Sequence, residues 1–209
     1  MTATAAGAAR LDLLAEALAA ARAGDWAGAE RVCDQWDEID AANRKPPPTP
    51  LQAALWYVSL GLKVFPLQPE RKIPFPGSHG VKDATSDAAL VRRWWAVAPT
   101  ANVAVATGHL VDVIDVDGLT GVLSLDRGVL AGLPPTVGRV KTPRPGGCHL
   151  WIEAMGSPCR AGIVPGIDTR GLGGYVVAPP SHVTTSDYNG FYRWDEALTL
   201  PRGGDAGLR

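Results

Sequence analysis

The chain has 209 residues, and its 20 basic and 21 acidic residues give a formal net charge of −1 at pH 7. With 46% hydrophobic and 20% charged residues, the composition is that of a globular protein and excludes a disordered tail or a fibrous chain. The charge balance excludes a protein that coats nucleic acid by bulk charge, and no apolar run reaches the ~18 residues of a membrane-spanning helix.

Cysteine use and the N-terminal segment bear on the cellular compartment. The three cysteines, Cys33, Cys148 and Cys159, are too few and too scattered for a disulfide framework or for a four-ligand zinc site. Asp12 and Glu16 interrupt the Ala-rich N-terminal segment, and no basic segment precedes it, so we do not expect a signal peptide. We therefore expect a cytoplasmic protein with reduced thiols and no association with membranes.

The chain divides at a proline-rich segment. Residues 1–45 predict a helical hairpin appendage, because apolar residues recur at spacings of three and four and Gly24 breaks the pattern. The proline cluster over 46–50 predicts a stiff, extended linker. We expect the main domain to cover residues 51–201 and a flexible tail to cover residues 202–209.

Within the main domain, helices and strands alternate early and strands dominate late. We predict a short helix at "LQAALWYVSLG", a strand at "KVFPL", and a helix over about 86–97 with Thr85 or Ser86 as its N-cap. Strands follow around "NVAVATG" and "LVDVIDVDG", and then a short helix near 118–131. The remaining segments predict strands at "GRVKT", "HLWIE", "PGIDTRG", "GGYVVAPPS" and "FYRW". This order is typical of an α+β domain with a mixed or antiparallel sheet.

Two carboxylates stand out in the second of these strands. The apolar residues of the segment 111–118 are mostly β-branched, which predicts a buried strand, and alternation places Asp115 and Asp117 on one face, about 6–7 Å apart. Two carboxylates on one face of an apolar strand repel each other and lose hydration, and a divalent cation such as Mg²⁺ removes both costs. Asp112 falls on the opposite face, so we expect it to mark the start of the strand and not to bind metal.

A second cluster supports this interpretation, because an Asp-x-Asp pair alone is a weak signal. In "TPRPGGCHLWIE", Gly146-Gly147 would let the backbone approach a ligand closely, and His149 opens a strand after Lys141 and Arg144. These groups suit contact with a triphosphate. A satisfied structural histidine is the alternative, and the neighbouring bases favour the phosphate contact.

The third cluster lies in "PGIDTRG". Asp168 and Arg170 are two residues apart in a predicted strand, so they share a face. Asp168 is suited to be a third metal ligand and Arg170 to clamp a phosphate. The alternative is a surface ion pair worth ~0–1 kcal/mol.

Taken in order, these motifs resemble the bifunctional DNA primase/polymerase (prim-pol) domain of the archaeo-eukaryotic primase superfamily. The resemblance spans about residues 51–195 and implies an RRM-like catalytic core flanked by an α/β module. It implies that Asp115 and Asp117 form the first acidic motif, that His149 contacts the incoming nucleotide, and that Asp168 is the third acid. We extend the nucleotide-phosphate role to three cationic residues, Arg170, Arg144 and Lys72.

The resemblance also implies cofactors and partners. It implies two Mg²⁺ or Mn²⁺ ions, a single-stranded DNA template, a primer and nucleoside triphosphates, in the replication of a plasmid, phage or mobile element. Some relatives carry a zinc-binding insertion, but Cys148 and Cys159 do not supply one, so we expect no zinc. Many relatives continue into a helicase; this chain has no GKS or GKT phosphate-binding loop, so a replicative helicase would be fused beyond it or act in trans. The chain departs from the pattern of its relatives at two positions. Gly147 stands where many relatives have Ser, and Asp117 stands where some have Glu.

Two other functions are compatible with parts of the sequence. "VIDVDG" also suggests a phosphatase of the haloacid-dehalogenase type, with Asp115 as nucleophile and Asp117 as acid in a Rossmann-like sheet. No later acidic pair near a Lys accompanies it. A non-catalytic nucleic-acid-binding module is the other alternative, in which the aromatic residues of "YNGFYRW" stack on bases.

Overall fold

The structure, a computed structural model, describes residues 15–32, 48–128, 132 and 134–200. Within these ranges, no helix combines the length and the apolar character needed to cross a membrane.

The described elements are a mixture of helices and strands up to residue 126 and are strands thereafter. The helices are α1 (15–22), α2 (26–32), α3 (Pro50–Ser59), α4 (Ala88–Val97) and α5 (Gly118–Asp126), with a 3₁₀ turn at Gly80–Asp83. The strands are β1 (Val64–Leu67), β2 (Asn102–Ala106), β3 (Val111–Val116), β4 (Thr136–Lys141), β5 (Cys148–Glu153), β6 (Arg160–Val164), β7 (Ile167–Arg170), β8 (Tyr175–Ala178), β9 (His182–Thr184), β10 (Asn189–Phe191) and β11 (Arg193–Glu196).

The strands form three antiparallel sheets in the described part of the chain. The largest sheet has the strand order β11-β4-β5-β3-β7-β6, so β3 lies in its interior between β5 and β7. A second sheet has the order β1-β2-β8, and β9 pairs with β10. Helices combined with antiparallel sheets confirm the predicted α+β class.

Local chemistry places the starts of two helices. Thr49 and Gln52 form a capping box at the start of α3, where each side chain accepts a hydrogen bond from the other residue's backbone N–H. Asp87 caps α4 by accepting hydrogen bonds from the N–H groups of the second and third helical residues. The predicted caps, Thr85 and Ser86, are therefore wrong. Thr85 instead pairs with Val64 of β1, and the Asp87 carboxylate suits the positive end of the helix dipole.

The main hydrophobic core lies between the two larger sheets and the helices α3 and α4. At its centre the buried rings of Tyr57 and Trp151 stack with centroids 6.4 Å apart, and the Tyr57 hydroxyl donates a hydrogen bond to the Pro179 carbonyl. This pairing buries the large rings while satisfying the polar tip of Tyr57. The core ties the six-stranded sheet to the smaller one, and the candidate site lies along this junction.

The two faces of β3 serve different layers. Val111 and Val113 point into the main core, whereas Ile114 and Val116 pack against α5 on the other side of the sheet. Asp112 lies on the α5 side, where it is buried and its Oδ2 accepts a hydrogen bond from the Met155 N–H at 2.9 Å. Its position facing away from Asp115 agrees with the sequence prediction.

The predicted geometry of the acidic pair is wrong in one respect. Strand β3 ends at Val116, and Asp117 is the N-cap of α5 with φ −88° and ψ 96°. Its N–H still donates a hydrogen bond to the Gly166 carbonyl at 2.7 Å, and α5 begins at the next residue. Helix α5 ends at Asp126, earlier than the expected end near residue 131.

The described N-terminal residues pack on the outer side of α5. Alanines and Val32 of α1 and α2 form a small cluster with Leu119, and Arg22 forms an ion pair with Asp126. The remainder of the expected hairpin over 1–45, residues 46–47 of the expected 46–50 linker and the expected 202–209 tail lie outside the described residues, and Pro50 of the expected linker already begins α3. These domain boundaries stay predictions.

Candidate functional site

Strand pairing brings the predicted site residues together on the face of the large sheet that points to the main core. Asp115 of β3 lies opposite His149 of β5 on one side and opposite Asp168 of β7 on the other. Residues directly opposite each other in antiparallel strands project to the same face. The three side chains therefore form a row across three neighbouring strands.

Three carboxylates converge at the end of β3. Asp115, Asp117 and Asp168 each offer an oxygen, and these oxygens lie within 4.8 Å of one another. The Asp115 side chain is 17% exposed and that of Asp117 is 45% exposed, so the cluster opens to solvent on one side. Carboxylate oxygens are the ligands that Mg²⁺ prefers, so the residues fit a divalent cation.

Repulsion within the cluster is visible at Asp117. Burial and, next in size, the neighbouring Asp115 raise the pKa of Asp117 above its ordinary value, and Arg144 offsets this only in part. The Arg144 Nη1 lies 3.7 Å from the Asp117 Oδ1. A cation bound among the three oxygens would relieve this repulsion.

Arg170 bridges two of the three carboxylates. Its Nη2 donates hydrogen bonds to the Asp168 Oδ2 at 2.9 Å and to the Asp115 Oδ2 at 3.2 Å. The predicted shared face of Asp168 and Arg170 is therefore confirmed. The contact to Asp115 makes Arg170 part of the carboxylate cluster and not one half of an isolated surface pair.

His149 is buried beside the cluster. Its Nε2 lies 3.5 Å from the Asp115 Oδ1, and its Nδ1 has no hydrogen-bond partner among the described residues. Burial lowers the pKa of His149 to about 4, although Asp115 acts in the opposite direction. The ring is therefore neutral at pH 7, so one of its nitrogens carries an N–H and the other is free to accept a hydrogen bond.

A cavity of about 290 Å³ opens beside this row. Lys72, Arg144 and Arg170 supply cationic groups to its wall, and Asp115, Asp117 and His149 line it as well. Asp168 is the one predicted site residue that does not line this cavity; it joins the site through the carboxylate cluster.

Three tyrosines line the cavity, the sequence prediction assigned none of them to the site, and two of them contact its cationic and imidazole groups. The Lys72 Nζ lies 5.2 Å and the Arg144 guanidinium carbon 5.5 Å from the centre of the Tyr188 ring. The buried Tyr192 ring lies 5.4 Å from the His149 ring. Burial would lower the pKa of Lys72, but Tyr192 and Tyr188 raise it on balance. The motif "YNGFYRW" signalled these aromatic residues, but not their contact with Lys72 more than a hundred residues earlier.

The second predicted cluster differs from the expectation in one respect and gains a packing explanation in another. A Cβ at Gly147 would stand 2.3 Å from the Thr142 Oγ1, so this glycine allows the close packing of the β4–β5 turn, and its role in the approach of a ligand stays a prediction. Gly146 likewise faces Leu119. Lys141 pairs with Cys148 in the sheet, which places it on the face opposite to His149.

A comparison with protein families identifies the group to which these features correspond. The profile described as "Bifunctional DNA primase/polymerase, N-terminal" matches residues 54–202, a range that contains every predicted site residue. No curated protein matches the chain at a significant level of similarity.

Proposed function

The chain belongs to the bifunctional DNA primase/polymerase family, and on that basis we propose that it is a DNA-dependent nucleotidyltransferase that makes or extends primers on single-stranded DNA. The observation that carries this proposal is the convergence of the Asp115, Asp117 and Asp168 oxygens within 4.8 Å beside a cavity with cationic walls. Such a site combines the anionic ligands of a metal with the cationic groups that a triphosphate requires.

We propose that Asp115, Asp117 and Asp168 hold divalent cations, Mg²⁺ or Mn²⁺, and that two ions take part. When bound, such ions supply Lewis-acid activation of the attacking hydroxyl and neutralise charge on the leaving group. We propose no zinc requirement.

The chain's own residues position the nucleotide. Lys72, Arg144 and Arg170 line the cavity and are placed to pair with triphosphate oxygens. Neutral His149 offers one ring N–H as a further donor. In the reaction the primer 3′-oxygen bonds to the α-phosphorus, the α–β phosphoanhydride bond breaks, and pyrophosphate leaves. The proposal assigns no side chain as general base, and the hydroxyl proton passes to solvent. Positioning and charge neutralisation supply most of the rate.

The sheet order supports an RRM-like catalytic core. Strand β3, helix α5 and strands β4 and β5 follow one another in sequence, and β7 joins the sheet on the other side of β3. This arrangement matches the βαββαβ pattern in strand order, except that the edge strand β6 takes the place of the second helix in the sequence. Helices α3 and α4 with the β1-β2-β8 sheet correspond to the flanking α/β module.

The two alternative functions fit the structure less well. A phosphatase of the haloacid-dehalogenase type needs the Asp115 strand in a Rossmann-like parallel sheet, and β3 is antiparallel to both of its neighbours. A module that only binds nucleic acid would gain nothing from three converging carboxylates, which repel a polyanion unless a cation lies between them.

Labelled-nucleotide incorporation on a single-stranded template, with and without a primer, tests the proposal. We expect incorporation with Mg²⁺ or Mn²⁺, and a loss of about a hundredfold to a thousandfold for Asp115→Asn, because the variant removes an anionic ligand of the cations that neutralise charge in the transition state. Glu153→Gln is the matched control, since Glu153 is exposed at the far end of β5. Pure, folded protein that incorporates nothing with either metal would disprove the proposal.

The biological setting belongs to the same proposal. We propose that the protein acts in the cytoplasm during replication of a plasmid, phage or mobile element. A replicative helicase, fused or in trans, is the proposed protein partner. A pull-down with the helicase of the same replicon, with template DNA digested, tests the partnership.

A further inference from the structure

Arg170 lies where a bound cation would have to compete with it. Its Nη2 is within 3.2 Å of one oxygen of Asp115 and within 2.9 Å of one oxygen of Asp168. These two residues and Asp117 make up the carboxylate cluster. In the described residues, the guanidinium of Arg170 is the cationic group that bridges two members of that cluster.

The charge balance of the cluster explains why a bridging guanidinium is stable there. Three carboxylates within 4.8 Å of one another repel. The guanidinium neutralises the two carboxylates that lie most deeply in the sheet. Arg144, whose Nη1 is 3.7 Å from the Asp117 Oδ1, partly neutralises the third.

The Arg170 side chain also borders the cavity. Its side chain is 37% exposed and lines the cavity together with Lys72 and Arg144, the groups proposed to bind the triphosphate. The guanidinium is therefore not enclosed by the sheet, and rotation about its side-chain bonds would carry it from the carboxylates towards the cavity. A divalent cation bound to Asp115 and Asp168 would repel the guanidinium in that direction.

We propose that Arg170 is an internal counter-cation: it occupies the carboxylate cluster when no metal is bound, competes with the metal for Asp115 and Asp168, and is released to the triphosphate when the metal binds. This inference rests on the proposed function, because it requires the cluster to be a metal site. Its consequence is a thermodynamic coupling between metal and phosphate binding through one side chain, and such a coupling is reciprocal.

Mn²⁺ binding to the full chain, followed by electron paramagnetic resonance without nucleotide, tests the inference independently of catalysis. For Arg170→Gln we expect the affinity for Mn²⁺ to rise about tenfold or more, because a positive charge is removed from beside the ligands. Arg170→Lys keeps the charge but replaces the planar fork, so we expect an intermediate affinity. Arg160→Gln is the matched control: Arg160 pairs with Thr169, on the opposite face of the same sheet, and its loss should change the affinity less than about twofold.

Each outcome separates the inference from the proposed function. Equal or weaker Mn²⁺ binding by Arg170→Gln, in protein that binds Mn²⁺ in the wild-type form, overturns the inference and leaves the proposed function intact. Absence of binding to the wild type and to both Arg170 variants overturns the metal site itself and the inference with it. If Arg170→Gln fails to fold without metal, Arg170→Lys carries the test, and an affinity no higher than that of the wild type overturns the inference.

Discussion

His149 shows how burial decides the protonation state of a residue at the site. The ring is 4% exposed, and burial lowers its pKa to about 4 in spite of the adjacent Asp115. A charged imidazolium would be the simpler partner for a triphosphate, but the fold disfavours it at neutral pH. His149 therefore acts as a neutral hydrogen-bonding group, while Lys72, Arg144 and Arg170 supply the positive charge at the cavity.

The lowered pKa of His149 predicts an acid-sensitive fold. The unfolded chain takes up a proton at this residue below about pH 6.5, whereas the folded chain does so only near pH 4, so the unfolded state binds more protons in that window. The stability contributed by His149 is therefore present above pH 6.5 and is lost as the pH falls towards 4. We expect the free energy of unfolding to drop by about 2 kcal/mol between pH 6.5 and 5 from this residue alone.

Urea denaturation at pH 7 and pH 5 measures this drop. His149→Asn should lose less stability over that interval than the wild type, because it removes the group that titrates. His109→Asn serves as the control, since His109 is exposed. An equal loss in wild type and His149→Asn would contradict the burial argument.

A second expectation at His149 concerns nucleotide binding. If a ring nitrogen contacts the triphosphate, His149→Asn removes a hydrogen bond worth about 1 kcal/mol, and the nucleotide KM should rise about fivefold while kcat changes less. Steady-state incorporation at varied nucleotide concentration separates the two constants. An unchanged KM in a variant that folds normally would favour a purely structural histidine.

At the scale of elements, the junction between β3 and α5 sets the position of Asp117. Helix α5 lies close to the β6–β7 turn: a Cβ at Gly121 would stand 2.3 Å from the Gly166 carbonyl oxygen and 2.8 Å from the Val116 Cγ1. The N–H of Asp117 also bonds to the Gly166 carbonyl. The close approach at Gly121 therefore holds the start of α5, and with it the Asp117 carboxylate, against the turn that leads to Asp168.

Gly121→Ala tests that arrangement by setting two effects against each other. Helix propensity alone favours alanine by about 1 kcal/mol, but the added methyl group meets backbone that cannot easily move, at a cost of about 1–3 kcal/mol or more. We expect net destabilisation in urea unfolding together with reduced nucleotide incorporation. Thr120→Ala, at the exposed neighbouring position, should be neutral or slightly stabilising. A Gly121→Ala protein as stable as the wild type would show that α5 can move away from the turn.

The same elements show what local sequence could and could not predict. The alternation in 111–116 correctly predicted a buried strand with Asp112 facing away from Asp115. It wrongly extended the strand through Asp117, because an Asp before a Gly suits either a strand or a helix cap. The register in which the strands pair could not be predicted from the local sequence pattern. His149 and Asp168 lie opposite Asp115 through pairings between distant segments, which depend on how the whole sheet assembles.

At the scale of the whole molecule, the site lies where segments distant in the sequence meet. Strand β3, the start of α5 and strand β7 supply the carboxylates, and Lys72 comes from the segment after β1, near the smaller sheet. Tyr175 of β8, which lines the same cavity, donates its hydroxyl hydrogen bond to the Lys72 carbonyl at 3.0 Å. The main core joins both sheets, so its packing determines whether the acidic and the cationic groups face each other.

Because the three carboxylates come from different elements, a bound metal should stabilise the entire fold. At a hundred times its Kd, an ion that binds only the folded state adds about 2.7 kcal/mol, which for a chain of this size raises Tm by roughly 5–10 °C. Asp117→Asn should abolish most of that rise.

Without metal the Asp117→Asn variant should be slightly more stable than the wild type. The raised pKa of Asp117 means that its charged form is disfavoured in the folded state, and the variant removes that charge. The gain should stay below about 1 kcal/mol, since the Asp117 side chain is 45% exposed and solvent screens it. Thermal melts with and without Mn²⁺, with Glu153→Gln as the matched control, measure both effects. An Asp117→Asn protein that keeps the full metal-induced rise would remove Asp117 from the ligand set, whereas one that melts lower without metal would mean that its carboxylate supports the fold.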